Sequence, residues 1–240
     1  MERLQKVIAN IGYCSRRKAE ELIKKGFVTV NDKMITELGT KVGEKDTIKI
    51  DGNAIAKEDK EYYLLYKPAG VVTTTSDDKK RKTVIDLIDT NKRIYPVGRL
   101  DYDTTGVLLL TNDGDLTNAL IHPSKEIEKI YIAKVKGIVD YKEIFSLEKG
   151  VIIDGVKTSP AKAKIRKIDK VKGTSVVELK IYEGKNHQVK NMFLAINHEV
   201  IKLKREKFSF LDLKGLQAGE YRRLTPKEIK KLYNETKRVD

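Results

Sequence analysis

The run GRLDYDTTGVLLLTND, residues 98–113, sets two carboxylates, Asp101 and Asp103, beside Arg99 and just ahead of an apolar stretch over 107–110. Acids at this spacing could ligate a metal, cap a turn or take part in catalysis. Asp101-x-Asp103-x-Thr105-Gly106 imitates the first half of a calcium-binding loop, with glycine in sixth place. The twelfth place, where a bidentate glutamate belongs, is Asn112, and leucines occupy 108–110 where ligands should sit. Calcium is therefore rejected. Asp103 is expected to cap a turn over 104–106. Asp101 leads into what reads as a rigid apolar strand, which could hold it at the edge of a cleft. Each carboxylate near phosphate lowers affinity for a polyanion, so an acid kept inside a basic surface suggests a task. On the residues alone, a catalytic role for Asp101 and a structural ion pair with Arg99 both stay open.

The chain around these acids is strongly basic. Its 240 residues carry 49 Lys and Arg against 35 Asp and Glu, a net charge of +14. That surplus favours a polyanionic partner, and nucleic acid is the usual one. A hydrophobic fraction of 40% supports packed cores rather than disorder. One cysteine, Cys14, excludes an intramolecular disulfide and fits a reducing cytoplasm. It lies too far in sequence from His122, His187 and His198 to suggest zinc, so no metal is expected. The start, MERLQKVIANIG, is charged throughout and has no apolar signal core. No run reaches membrane-spanning length, so a cytoplasmic protein without membrane partners is expected.

The elements that must position the acids follow from spacing. Leu4, Val7, Ile8 and Ile11 recur at helical intervals and Gly12 stops that helix. Ser15 is a natural N-cap for a second helix, closed by Gly26. Strands over 27–30 and 47–50 follow, with a turn at Asn31-Asp32. Residues 1–52 thus form a small module, 53–60 read as a linker, and 61–240 form the larger domain. There YYLLY, VVTTT, VLLL, KIYIAKVKG, KTSPAKAKIRKI and TSVVELKIYE read as strands, several alternating as half-buried antiparallel strands do. Helices are expected near 83–88, 116–121, 141–147 and 187–196, the last capped by Asn186 and closed by Asn197. Thr225-Pro226-Lys227-Glu228 is a capping box that opens a final helix. The class is α+β.

Two basic clusters remain unassigned by this outline. Residues 157–172 carry seven cations against one acid, and Lys202, Lys204, Arg205 and Lys207 follow the 187–196 helix. Such clusters serve more often as phosphate contacts than as base readers.

Larger patterns connect these pieces. The stretch RLQKVIANIGYCSRRKAEELIKKGFVTVND, with the later VGEKDTIKIDG, resembles the alpha-L (S-four) RNA-binding domain. The resemblance implies that Arg3, Ser15, Arg16, Arg17, Lys25, Asn31 and Lys33 hold RNA. Asp32 departs from relatives that carry glycine there, and an acid weakens a local phosphate contact. GRLDYDTTGVLLLTNDGDL resembles the signature of RsuA-type rRNA pseudouridine synthases, in which Gly-Arg-Leu-Asp carries the catalytic aspartate. YYLLYKPAGVVTT, EKIYIAKVKG and EGKNHQVKNMFLAINHEVIKLKREKF resemble three further segments of that family, in the same order.

By this resemblance the larger domain is a mainly antiparallel, mixed-sheet catalytic domain flanked by helices. Asp101 is the nucleophile or base, Tyr131 packs against the target uracil, and Lys190 is the cation paired with Asp101. Many relatives have arginine at the last position. Lysine keeps the charge but loses the two-pronged geometry, so Arg99 or backbone groups are expected to help orient Asp101. Lys67, His187 and Gln188 are further expected RNA contacts. The run His187-Gln188-Val189-Lys190 looks closer to the branch acting on small-subunit rRNA, so 16S rRNA is the first expectation. Large-subunit 23S rRNA and a non-catalytic, ribosome-associated RNA binder are the alternatives. An rRNA methyltransferase with the same N-terminal module would need a glycine-rich turn for the methyl donor, and none is visible after residue 60. The implied partner is rRNA or a subunit assembly intermediate, with no cofactor and a monomeric chain.

Overall fold

The computed structural model describes residues 1–56 and 58–237. Lys57, inside the expected linker, and residues 238–240, at the end of the expected second domain, lie outside the described residues. The chain divides into two compact units. The first comprises Met1–Glu61 with Thr90–Ile94 and Asn112–Gly114; the second comprises Tyr62–Asp89, Tyr95–Thr111 and Asp115–Asp240.

Local signals set the first unit. Helix α1, Leu4–Ile11, ends at Gly12, whose φ of 101° is open to glycine at little cost. Helix α2, Arg16–Lys24, starts at Ser15, whose side chain accepts the Lys18 N–H at 3.1 Å. Leu4, Ile8, Ala19 and Ile23 pack on Val28, Val42, Ile48 and Ile50, each large aliphatic contributing about 1.5–3 kcal/mol on burial. The sheet runs in the order Lys33–Ile35, Val28–Val30, Ile48–Ile50, Asn53–Ala54. Asn31 and Asp32 both sit at positive φ, 51° and 64°, as a two-residue hairpin turn demands. The Asn53–Ala54 strand takes up the first two residues of the stretch expected to be a linker.

The second unit is built on a nine-stranded mixed sheet. Its main order is Lys162–Asp169, Thr174–Ile181, Lys129–Lys136, Val200–Phe208, Thr105–Thr111, Tyr62–Lys67, Tyr221–Arg223. The pairing of Val200–Phe208 with Thr105–Thr111 is parallel; the other pairs in this order are antiparallel. Helix α3, Gly114–Ile121, and helix α6, Pro226–Glu235, cover one end. Their Leu116, Leu120 and Leu232 bury against Leu64, Val107 and Leu109. Helix α4 is Tyr141–Lys149 and helix α5 is Gln188–Leu194. The capping box at Thr225 and Glu228 forms as the sequence indicates.

Three expectations are corrected. Val71–Thr75 forms no strand; β-branched residues there make only an isolated bridge, Val72 to Thr83. The stretch 83–88 holds a single 3-10 turn, Ile85–Leu87, instead of a helix. Helix α5 is capped by His187 in a left-handed conformation, φ 48°, rather than by Asn186.

Candidate active site

Gly106 brings the two central strands together. A Cβ there would lie 2.2 Å from the Arg205 carbonyl oxygen, so only glycine allows the parallel Gly106–Arg205 pairing. The loop entering this strand, residues 100–104, is tied down by buried donors. Lys67 is fully buried, and its ammonium donates to the carbonyls of Pro68 at 3.0 Å, Asp101 at 3.0 Å, Thr104 at 2.9 Å and Tyr102 at 3.4 Å. Thr73 Oγ1 donates to the Leu100 carbonyl at 2.7 Å, and the Gly70 N–H donates to the Tyr102 carbonyl at 2.8 Å. Burial pushes the Lys67 pKa down to about 8, with the charges of Asp103 and Asp101 opposing the shift. Lys67 was expected to contact RNA. That expectation is corrected, because the ammonium is enclosed and its donors are used by the loop.

The side chain of Asp101 faces a cleft of about 60 Å³, whose lining includes Arg99, Thr104, Tyr131, His187, Gln188 and Leu203. That volume admits only a few water molecules. His187 and Lys185 at the rim are exposed. Tyr131, 8% exposed, comes from the Lys129–Lys136 strand on the same face as Ala133 and Val135. A groove of about 530 Å³ elsewhere on this unit, lined by Lys125, Glu128, Tyr182 and Lys207 among others, contains none of these groups.

Helix α5 brings the cation. Lys190 Nζ lies 3.3 Å from Asp101 Oδ2, yet its shorter bonds go to Asp103, at 2.6 Å to Oδ1 and 2.9 Å to Oδ2. One ammonium thus bridges both aspartates. Burial pulls the Lys190 pKa down, but the Asp103 hydrogen bond and the charges of Asp101 and Asp103 outweigh it, leaving a net rise. The Lys190 hydrogen bond in turn holds Asp103 below its ordinary value. Asp103 was expected to cap a turn over 104–106; its carboxylate instead grips Lys190. His187 Nε2 stands 3.5 Å from Asp101 Oδ1. Arg99 lines the cleft and is exposed, but pairs with neither aspartate among the described residues. The ion pair considered for Arg99 and Asp101 is therefore not formed, and the two side chains facing the Asp101 carboxylate both come from residues 187–190.

The remaining expected residues separate into committed and free. Gln188 is buried; its Nε2 donates to Glu183 Oε1 at 2.5 Å and its Oε1 accepts the Lys185 N–H at 2.8 Å. It shapes the loop before α5. Ser15 is used as a cap, and the Asn31 amide bonds Asp46 and the Thr47 N–H. Arg3, Arg16, Arg17, Lys25 and Lys33 are exposed, with no ion pair among the described residues. Asp32 pairs with Lys49 at 2.6 Å.

Arg205 was grouped with the phosphate-contacting cations. It is 2% exposed, and its Nε donates to the Val107 carbonyl at 2.8 Å, so it braces the two central strands instead. Thr104 was not singled out from sequence. Its hydroxyl is buried at the cleft wall with no partner among the described residues, and nothing local in the sequence signals that.

Comparison with known proteins identifies the family of the chain. The family model described as RNA pseudouridylate synthase matches residues 61–195, and the S4 domain model matches residues 2–48. The chain is 56% identical over 233 residues to a Bacillus subtilis protein named ribosomal large subunit pseudouridine synthase B, covering 97% of this chain and 96% of that one. It is 37% identical to an uncharacterized RNA pseudouridine synthase of Aquifex aeolicus, covering 96% and 93%. A solved structure described as a pseudouridylate synthase superposes with a TM-score of 0.69 at 32% identity, covering 97% of this chain and all of that one. The α+β architecture, with a small S4 domain ahead of a mainly antiparallel mixed sheet, is what the S4 match and the superposition support for this chain. The chain belongs to the RNA pseudouridylate synthase family, isomerases that act on RNA, and carries an S4 domain at its N-terminal end.

Proposed function

We propose that this protein isomerises a uridine to pseudouridine in ribosomal RNA of the large subunit, with Asp101 as the reacting carboxylate. The observation that carries the reading is the cleft in which Asp101, held through its backbone by Lys67, meets Tyr131 on the sheet and Lys190 on α5. The choice of subunit rests on the 56% identical relative with a large-subunit name. It displaces the first expectation of 16S rRNA, which rested on the short His-Gln-Val-Lys run alone.

In this reading an everted uridine places its sugar at Asp101 and its ring against Tyr131. Unstacking costs a few kcal/mol, which aromatic packing offsets in part. The N1–C1′ bond breaks, the uracil turns within the cleft, and a C5–C1′ bond forms. The C5 proton is lost and N1 gains one, so atoms balance and no electrons enter or leave. Asp101 assists by attack at C1′ or by taking the C2′ proton. Lys190 keeps the carboxylate charged against the desolvation that a bound base imposes. Asp103 holds Lys190 in place from the solvent side. The exposed cations of the S4 domain, Arg16 and Arg17 among them, supply phosphate contacts with planar, two-pronged geometry.

The test is to incubate the purified protein with full-length 23S and 16S rRNA transcripts and to map pseudouridines in each. A new pseudouridine in 23S alone is expected. A site only in 16S overturns the subunit assignment, and none in either overturns the function.

A further inference from the structure

The two basic clusters left over from the sequence meet on one side of the catalytic sheet. The strands Lys162–Asp169, Thr174–Ile181, Lys129–Lys136 and Val200–Phe208 lie side by side. One set of alternating residues, including Leu179, Tyr131, Ala133 and Leu203, is buried. Of these, Tyr131 and Leu203 line the Asp101 cleft together with Val189 of α5. The other set points to the opposite side and is exposed or half-buried: Lys162 and Lys164, then Lys180, Lys134, Lys202 and Lys204.

The register on that reverse face is unusual for an ordinary solvated sheet. Lys162 lies directly opposite Lys180, and Lys134 directly opposite Lys202. Like charges across from each other destabilise a sheet, and strands about 4.8 Å apart put these ammonium groups well inside a Debye length of about 8 Å. Lys180 is relieved by Glu128 at 2.8 Å and Lys204 by Glu206 at 2.9 Å. Lys134, Lys162 and Lys202 have no ion pair among the described residues, and Lys164 has none either, since Glu178 directly opposite it bonds Arg166. A polyanion laid across the strands would neutralise this repulsion and release counterions.

We infer that the reverse face of the sheet is a second RNA-backbone binding surface, which grips a segment of the folded rRNA other than the one that delivers the uridine. The inference rests on the proposed rRNA uridine isomerisation. The geometry requires a separate segment, because the two faces of one sheet look in opposite directions. A short stem-loop seated at Asp101 does not reach round to Lys134 or Lys164. The substrate class is then a large folded RNA that touches the enzyme on both sides, rather than an isolated hairpin.

The experiment compares wild type with the triple variant Lys134→Gln, Lys164→Gln, Lys202→Gln on two RNAs. One is the full-length 23S transcript; the other is a stem-loop cut from it around the mapped pseudouridine. Direct binding of each RNA across a salt titration is measured alongside turnover. On the full transcript, KM and Kd should rise about tenfold or more and the log–log salt slope should shrink by about 2–3, with kcat unchanged. On the stem-loop, both constants should stay within about twofold of wild type, as expected for cations that make no contact with it. The thermal midpoint should not fall, since repulsion is removed. Unchanged binding of the full transcript overturns the inference, and so does an equal loss on both RNAs. Failure of the isomerase reading shows separately, as a wild-type protein that turns over neither RNA while the binding arm still decides the role of the reverse face.

Discussion

Replacing Lys67 with methionine separates a loop-holding role from an RNA-contacting one. Methionine keeps most of the volume of the side chain and removes the ammonium, whose three shorter bonds, at 2.9–3.0 Å, reach the carbonyls of Pro68, Asp101 and Thr104. Hydrogen bonds from a charged donor contribute about 1.5–3 kcal/mol each, so roughly 4–9 kcal/mol of interaction is lost. Against that, the fall of the lysine pKa from 10.5 to about 8 reports about 3 kcal/mol of unfavourable burial, which methionine recovers. The net cost is about 1–6 kcal/mol, concentrated in the loop that carries Asp101. Urea denaturation should show that loss. Turnover should fall at least tenfold, while RNA affinity and its salt dependence stay as in wild type. A variant of normal stability whose salt slope drops by about one would mean that Lys67 touches phosphate, and the assignment of Lys67 to the loop would be wrong.

Three other outcomes follow from the same structure. Gly106→Ala forces a Cβ into the Arg205 backbone at a φ of 122°, and should cost at least about 3 kcal/mol in chemical denaturation; a loss under about 0.5 kcal/mol would contradict the close approach. Glu228 is held down to about 2 from 4.5, chiefly by its hydrogen bond with Arg222, so its stabilisation is present above about pH 4.5 and is lost as pH falls toward 2. With partial exposure discounted, Glu228→Gln should cost about 1–2 kcal/mol at pH 7, and a cost as large at pH 2 would refute that linkage. Arg16→Ala with Arg17→Ala should weaken RNA binding and reduce the salt slope by up to about 2; an unchanged titration would remove the S4 domain cations from the interface.

What the sequence could disclose depended on how local the determining forces were. The end of α1 and the starts of α2 and α6 were legible because Gly12, Ser15 and the Thr225–Glu228 box act within one helical turn. Tyr131 was legible as a strand residue because its neighbours alternate. The Val200–Phe208 strand was not, since five of its nine residues are charged. Its burial comes from neighbours distant in sequence, and Arg205 stays inside because the Val107 carbonyl accepts from it. Val71–Thr75 shows the converse: β-branched residues favour a strand, but only one bridge partner is available. At the site, motif order placed Asp101, Tyr131 and Lys190 in one neighbourhood. The preference of Lys190 for Asp103 over Asp101, and the enclosure of Lys67 by loop carbonyls, arise only from the folded path of residues 100–104. Those bonds join positions 34 to 87 residues apart.

The central claim is that the carboxylate of Asp101 performs the chemistry. Asp101→Asn preserves shape and removes the charge, so the decisive measurement is single-turnover pseudouridine formation by this variant on full-length 23S transcript, beside wild type at equal RNA occupancy. The account predicts normal binding with no pseudouridine above background. Product formed at a rate within tenfold of wild type would contradict it.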